Sequence, residues 1–361
     1  MRLNSSARRA ALAGLLAVVA LLCLAATLDE RRAVADPDAT AAARARASYA
    51  AMQHRLDHTR AHAWPFVRLV AAAQSIAELP DATRRERAEA RMRLRQLRRF
   101  WRSGAYESLP RPPFGPGGDL YYDDNEWIGL ELMRRYAVTR QRGLLERSRA
   151  ILRLVIRGWD RRAPTCPGGV KWTPVPRIYQ RGTVTNGPGA QLAVAIYEAT
   201  GDRRALGWGQ RMYAWAERCM LDEQAGLYQD HFRADGSRDT TIWSYNQGSM
   251  IGAAIALYRA TGDRAYLDTA AARAARALDY FEDSRLPSEP PYFLAIYFRN
   301  LLAYEQLAGG TSFRTQLERY ADQAWNQSRD PHTGIFGSER PEKRLLTQAG
   351  MVEIYALVAG S

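Results

Sequence analysis

The chain has 361 residues, 47% of them apolar and 25% charged, a balance that excludes a disordered chain and a bundle of many membrane spans. Its formal net charge is +13, yet the only lysines are Lys171 and Lys343, so arginine carries the excess. The arginines are spread over many predicted helix faces, which argues against a nucleic-acid partner. Only Arg91, Arg93, Arg95, Arg98, Arg99 and Arg102 form a denser run, read as a solvated helix face with attraction to anionic lipid or glycolipid as the alternative.

Arg2, Arg8 and Arg9 precede an uncharged apolar run from Ala10 to Ala26, so residues 1–28 are predicted to be an export signal, with an uncleaved membrane anchor as the alternative. Ala33-Val34-Ala35 offers a small-residue cleavage site, although it follows the charged stretch Asp29 to Arg32. Leu22 before Cys23 departs from the small residue that a lipoprotein signal requires. The body is expected outside the cytoplasm, secreted or held at the membrane by residues 10–26. Residues 29–45, rich in Ala, Asp and Arg, read as a linker, and 46–361 as one domain, expected to be monomeric.

From there on, segments of helical periodicity alternate with Gly, Pro and Asp punctuation, which predicts an all-α protein. His54, His58 and His62 recur every fourth residue and read as a partly exposed stripe on one helix rather than a metal site. The octapeptide Ala195 to Asp202 recurs as Ala256 to Asp263, and in weaker form as Ala303 to Gly310. In the two close copies Gly ends one helix in the left-handed conformation and Asp caps the next, so each is the joint of a helical hairpin. Repeated hairpins build an open superhelix or a closed toroid. The longer loops, at 103–123, 160–184, 223–244, 282–291 and 329–346, fall between hairpins and would gather at one end of a toroid as a cleft. Cys166 and Cys219 could pair in an oxidising compartment, or remain two separate thiols.

The segment Asp119 to Leu132 places five acids and three aromatic rings at the mouth and first turns of a helix. An acid at a helix start is commonly a cap, but that role uses one Asp more readily than two. Glycoside hydrolysis needs one carboxyl group to protonate the leaving oxygen and another to act as nucleophile or to activate water. Asp123 and Asp124 are the candidates, and their adjacency suits the ~5–5.5 Å separation of a retaining mechanism better than the wider inverting gap. Tyr121, Tyr122 and Trp127 could stack on sugar rings, with a core role for Trp127 as the alternative. The sequence holds no Gly-rich phosphate loop after a strand and no serine in a nucleophile elbow, so neither nucleotide chemistry nor a serine hydrolase is expected. No cofactor or metal is called for.

The run Tyr122-Asp123-Asp124-Asn125-Glu126-Trp127 resembles the Asp-Asp signature of glycoside hydrolase family 76, the endo-α-1,6-mannanases. Gly168-Gly169-Val170-Lys171-Trp172, Thr185-Asn186-Gly187, and Gly226 to Asp230 followed by Trp243 to Gly248 resemble further motifs of that family in its order. Phe293 to Leu302 and Gln348-Ala349 resemble its last repeats, so the likeness spans roughly 110–358. The resemblance implies an (α/α)6 toroid of helical hairpins, with Asp123 as nucleophile and Asp124 as general acid/base. It also points to sugar contacts from Tyr122, Trp127, Trp172, Asn186, Asp239, Trp243, Tyr245, Asn246 and Gln247. Asn186 has a helix cap as its alternative role, and Arg299 is assigned either to substrate or to a buried acid. The implied substrate is an α-mannan polysaccharide or a mannosylated glycolipid. Transglycosylation by the same site, or carbohydrate binding without catalysis, are the rival readings.

Overall fold

The computed structural model describes residues 37–59, 61–337 and 341–360. Residues 1–28, read as a signal or anchor, lie outside them. Twelve α-helices occur among the described residues: α1 (Pro37–Arg55), α2 (Ala63–Ala77), α3 (Arg84–Gln96), α4 (Tyr122–Thr139), α5 (Arg142–Arg157), α6 (Thr183–Thr200), α7 (Arg203–Met220), α8 (Ser244–Thr261), α9 (Arg264–Tyr280), α10 (Pro291–Ala308), α11 (Ser312–Gln327) and α12 (Pro341–Gly360). They alternate in character. The even-numbered helices bury residues around most of their circumference, whereas α3, α5, α7, α9 and α11 bury one stripe and turn charged residues outward.

That alternation dictates the architecture, because a helix apolar on all sides needs neighbours on all sides. The even helices pack side by side in the order α2, α4, α6, α8, α10, α12, and α12 returns to α2, closing an inner ring. The odd helices form an outer ring, with α3 on α2, α5 on α4, α7 on α6, α9 on α8, α11 on α10 and α12, and α1 on α12. The result is the expected (α/α)6 toroid. The hairpin joints also take the expected form. Gly201 (φ 71°) and Gly262 (φ 76°) end α6 and α8, and the side chains of Asp202 and Asp263 accept the backbone N–H of Arg204 and Ala265, each at 3.0 Å.

Two sequence expectations change. Residues 37–45 are helical rather than linker: Ala41, Ala45, Ser48 and Met52 recur at helical spacing and are buried on the side of α1 that meets α12. Small alanines carry a weak apolar signal, yet they allow close helix packing and are the best helix formers. The histidine stripe is not one helix face either, since α1 ends at Arg55, His58 lies in the following loop and His62 caps α2. Cys166 and Cys219 form a disulfide with Cα atoms 6.1 Å apart, tying the loop before α6 to α7.

Short antiparallel β-ladders return the chain from outer to inner helices. They comprise β1 (Trp101–Arg102) with β2 (Ala105–Tyr106), β4 (Leu221–Asp222) with β5 (Leu227–Tyr228), and β3 (Arg181–Gly182) with β6 (His231–Phe232) and β7 (Arg238–Asp239). Buried amides on four of the inner helices grip such returns. Asn125 on α4 exchanges hydrogen bonds with the backbone of Tyr106 at 2.7 and 2.9 Å, and Gln247 on α8 does the same with Tyr228 at 2.8 and 2.8 Å. Asn186 on α6 accepts from Val170 N–H at 3.1 Å and donates to Gly182 C=O at 2.7 Å, and Gln348 on α12 accepts from Phe336 N–H at 3.1 Å. These side chains have 0% exposure, so each satisfies backbone groups that water cannot reach.

Gln247→Met keeps the volume and removes both bonds to Tyr228. It is expected to cost about 2–4 kcal/mol, because a buried N–H and a buried C=O lose their partners. Urea unfolding checks this, with exposed Gln306→Met as control; equal stability of the two variants would refute the role of the clamp.

Candidate active site

The first turns of the six inner helices meet around one cleft of about 670 Å³. Trp64 and Pro65 enter from α2, Asp123, Asp124 and Trp127 from α4, Val184 from α6, Tyr245 from α8, Phe293 from α10, and Lys343 and Leu346 from α12. The loops between hairpins add Ser108, Tyr121, Trp172, Gln180, Asp230 and His231. Gly182 also lines the cleft, and here glycine is demanded by space, since a Cβ would sit 2.2 Å from the carbonyl oxygen of Asp230 in the paired strand.

Aromatic rings make the walls. Trp172 and Tyr121 lie 4.8 Å apart at an interplanar angle of 51°, and Tyr245 is tilted against Phe293 at 4.0 Å and 31°. Trp127 tilts against Trp64 at 6.1 Å and forms the floor, since it also lines the pocket at the opposite end of the toroid. Faces of this kind suit the C–H surfaces of sugar rings.

Asp123 and Asp124 sit on the first turn of α4, both half-buried at the cleft. Burial pushes Asp123 up to about 7, against the opposing effects of a hydrogen bond from the Trp172 side chain and of backbone N–H groups; the charge of Asp230 adds to the rise. Asp124 is raised well above the ordinary carboxylate range, first by burial and then by the charge of Asp123. Both groups therefore hold a proton more tightly than an ordinary carboxylate, each raised in part by the charge of a neighbouring carboxylate. Glu126, one turn further into the core, is raised for the same two reasons, and its oxygens have no hydrogen-bond partner among the described residues.

Asp230 is a third carboxylate in the cleft that the sequence reading did not assign to the site. Asn246 donates to it at 3.0 Å, the Tyr245 hydroxyl at 3.4 Å, and His231 Nδ1 lies 3.0 Å away. It ends the motif Gly226 to Asp230, and its importance arises from contacts with residues beyond that motif. Asp230, His231 and Asp239 also bring potential ligand atoms within 4.8 Å of one another. Asp239, however, is paired with Arg233 at 2.8 Å and Asp230 is held as above, so their lone pairs are engaged.

The expected sugar contacts divide. Asp123, Asp124, Trp127, Trp172 and Tyr245 line the cleft, and Asn246 stands behind it holding Asp230. Tyr122 turns away into the core, close to Gly158 and Val170. Trp243 packs behind Phe293 at 5.5 Å, and Asp239 lies outside the lining. Asn186 and Gln247 spend their amides on backbone. Arg299 belongs to the opposite end, where it pairs with buried Glu353 at 2.8 Å alongside Arg68. The buried-acid alternative is the one realised for Arg299.

The sequence pattern of glycosyl hydrolase family 76 matches residues 99–351. The mannan endo-1,6-alpha-mannosidase DCW1 of Candida glabrata is 28% identical over 128 residues, which are 32% of this chain and 27% of that relative, so the match spans about a quarter of the relative's length. A family 76 alpha-mannanase of Bacteroides thetaiotaomicron shares the fold with a TM-score of 0.78 at 21% identity, covering 90% of this chain and 98% of that one. An alpha-1,6-mannanase of Salegentibacter sp., solved as a variant inactive through replacement of two consecutive aspartates and in complex with alpha-1,6-mannotriose, superposes with a TM-score of 0.70 at 19% identity over 88% of this chain and 99% of that one.

The raised carboxylates make a prediction about stability. A group whose pKa is higher folded than unfolded stabilises the fold most below the ordinary carboxylate range, about pH 4, and loses that contribution as pH rises through its folded value. For Asp123 the loss runs from about pH 4 up to its folded value of about 7. The double variant Asp123→Asn/Asp124→Asn should therefore melt a few degrees above the native protein at about pH 8, with the gap closing towards about pH 4. Thermal melts at both pH values check this, and a native protein as stable as the variant at the higher pH would contradict it.

Proposed function

The chain belongs to glycosyl hydrolase family 76, and on that premise we propose that it is a retaining glycoside hydrolase that cuts α-1,6-mannosidic links in mannan polymers or mannosylated envelope glycolipids. The carrying observation is the adjacent, half-buried pair Asp123 and Asp124, both raised in proton affinity in an aromatic-walled cleft. The related proteins support the same reading: one is named as an endo-1,6-alpha-mannosidase, and another is inactive without two consecutive aspartates and holds alpha-1,6-mannotriose.

Asp123, helped towards the ionised form by Trp172 and backbone N–H groups, attacks the anomeric carbon as the glycosidic C–O bond breaks. The leaving oxygen takes the proton held by Asp124. Asp124, now a carboxylate, removes a proton from water as the water oxygen attacks the anomeric carbon. That step frees the Asp123 carboxylate and leaves Asp124 protonated again. Tyr245 and Asn246 fix Asp230 beside Asp123, where its negative charge keeps the nucleophile's affinity for a proton high. The aromatic walls orient the sugar rings and exclude water.

The body is assigned outside the cytoplasm on two grounds. The Cys166–Cys219 disulfide needs an oxidising compartment, and Arg2, Arg8 and Arg9 precede the apolar run Ala10 to Ala26 in the pattern of an export signal or anchor.

Linear α-1,6-mannan digested by the native protein should release shorter chains whose new reducing ends are first α-configured, as read by NMR. Asp123→Asn and Asp124→Asn should each lower turnover by about 10³-fold or more without altering the circular dichroism spectrum. Normal turnover in both variants would remove the assignment, β-configured first products would remove retention, and products longer than the substrate would show transfer to sugar in place of water.

A further inference from the structure

The outer helix α3 presents a row of arginines that neither fold nor cleft uses. Arg84, Arg87, Arg91, Arg95 and Arg98 recur at intervals of three and four residues along α3 and the single turn that follows it, and all five are exposed. None has an acidic partner among the described residues. The helix's own acids are drawn elsewhere: Glu86 binds Arg46 of α1 at 2.7 Å, and Glu89 binds Arg93 at 2.7 Å and Tyr49 of α1 at 3.2 Å. Arg91 instead faces Arg135 of α4, a like charge. Elsewhere on the outer ring, by contrast, Arg319 of α11 pairs with Asp283, and Asp322 with Arg44.

A line of unpaired like charges at this spacing destabilises its own helix, and a partner of opposite charge relieves it. We propose that the α3 stripe docks the protein on an anionic lipid surface. Two features favour a membrane over a polymeric anion. The stripe runs along one outer-ring helix and the turn that continues it, so its charges lie in a row that a plane can meet together. The same chain also carries the apolar run Ala10 to Ala26, and α1, the helix that follows that run, packs along α3 through the Arg46–Glu86 and Tyr49–Glu89 contacts. An apolar segment and a basic surface in one chain make the two-signal combination that gives stable membrane attachment. Because α3 runs along the side wall of the toroid, docking lays the toroid on its side, so that the cleft opens along the membrane plane towards glycans rooted there. The proposal is independent of the chemistry assigned to Asp123 and Asp124.

The test uses the full chain, so that the apolar run contributes equally to every sample. Binding is measured by co-sedimentation with phosphatidylcholine vesicles and with vesicles containing about 30% phosphatidylglycerol, at low salt and at about 0.5 M salt. The native protein should bind the anionic vesicles on the order of tenfold more tightly, and high salt should remove the gain. Arg87→Glu/Arg91→Glu/Arg95→Glu should abolish the gain while hydrolysis of soluble mannan and circular dichroism stay unchanged. Arg203→Glu/Arg204→Glu/Arg218→Glu, equal in charge change but on exposed positions of α7, should retain it. Equal loss in both variants would show that net charge acts rather than the stripe. No gain on phosphatidylglycerol, with retention on heparin, would assign the stripe to a polymeric anion. Either result overturns the proposal.

Discussion

Four buried amides carry the geometry of the active end. Asn125, Asn186, Gln247 and Gln348 each bond to the backbone that returns from an outer helix, the first three from the opening turn of an inner helix and Gln348 from further along. Backbone polar groups enclosed by a helical ring have no water to turn to, so a return without its amide would not stay seated. Seating the returns fixes where the inner helices begin. Since the first turns of those helices supply the cleft, the amides hold the catalytic groups at a distance, without touching the cleft themselves.

The cleft pays for its chemistry in stability. Six helix N-termini converge on it, and their partial positive charge favours carboxylates. Burial outweighs that help, as the raised Asp123, Asp124 and Glu126 show. Walls of Trp, Tyr and Phe shield the carboxyl groups beside them and raise their hold on protons. The same shielding strains the fold around neutral pH. The opposite end of the ring is arranged differently, with Arg68, Arg134 and Arg299 set against Glu131 and Glu353 so that buried charges of both signs compensate.

Features legible in the sequence are those whose cause is local. The joints at Gly201-Asp202 and Gly262-Asp263 follow from a left-handed glycine and a side-chain cap, both contained in a few residues. Asp123 and Asp124 stand out because two acids beside aromatic rings exceed what a cap requires. Asn186 and Gln247 were read as sugar ligands because an amide that grips a backbone has the same chemistry as one that grips a hydroxyl. Only the fold tells which partner is present. Asp230 went unassigned for the converse reason: its place beside Asp123 is made by packing between segments far apart in the chain. Alanines in α1 hid a helix inside an expected linker because their contribution is closeness to α12 rather than size.

Trp127, only 6% exposed, separates the catalytic cleft from the pocket at the other end, which gives the ring a floor. A toroid with a floor is a bowl and not a tunnel. A polymer cannot be drawn through it, so each productive encounter lays a stretch of chain across the rim and returns both fragments by the same side. Under the proposed function, chain ends confer no advantage in entry, and it falls to the rim loops, rather than the ring, to select among branches along the polymer.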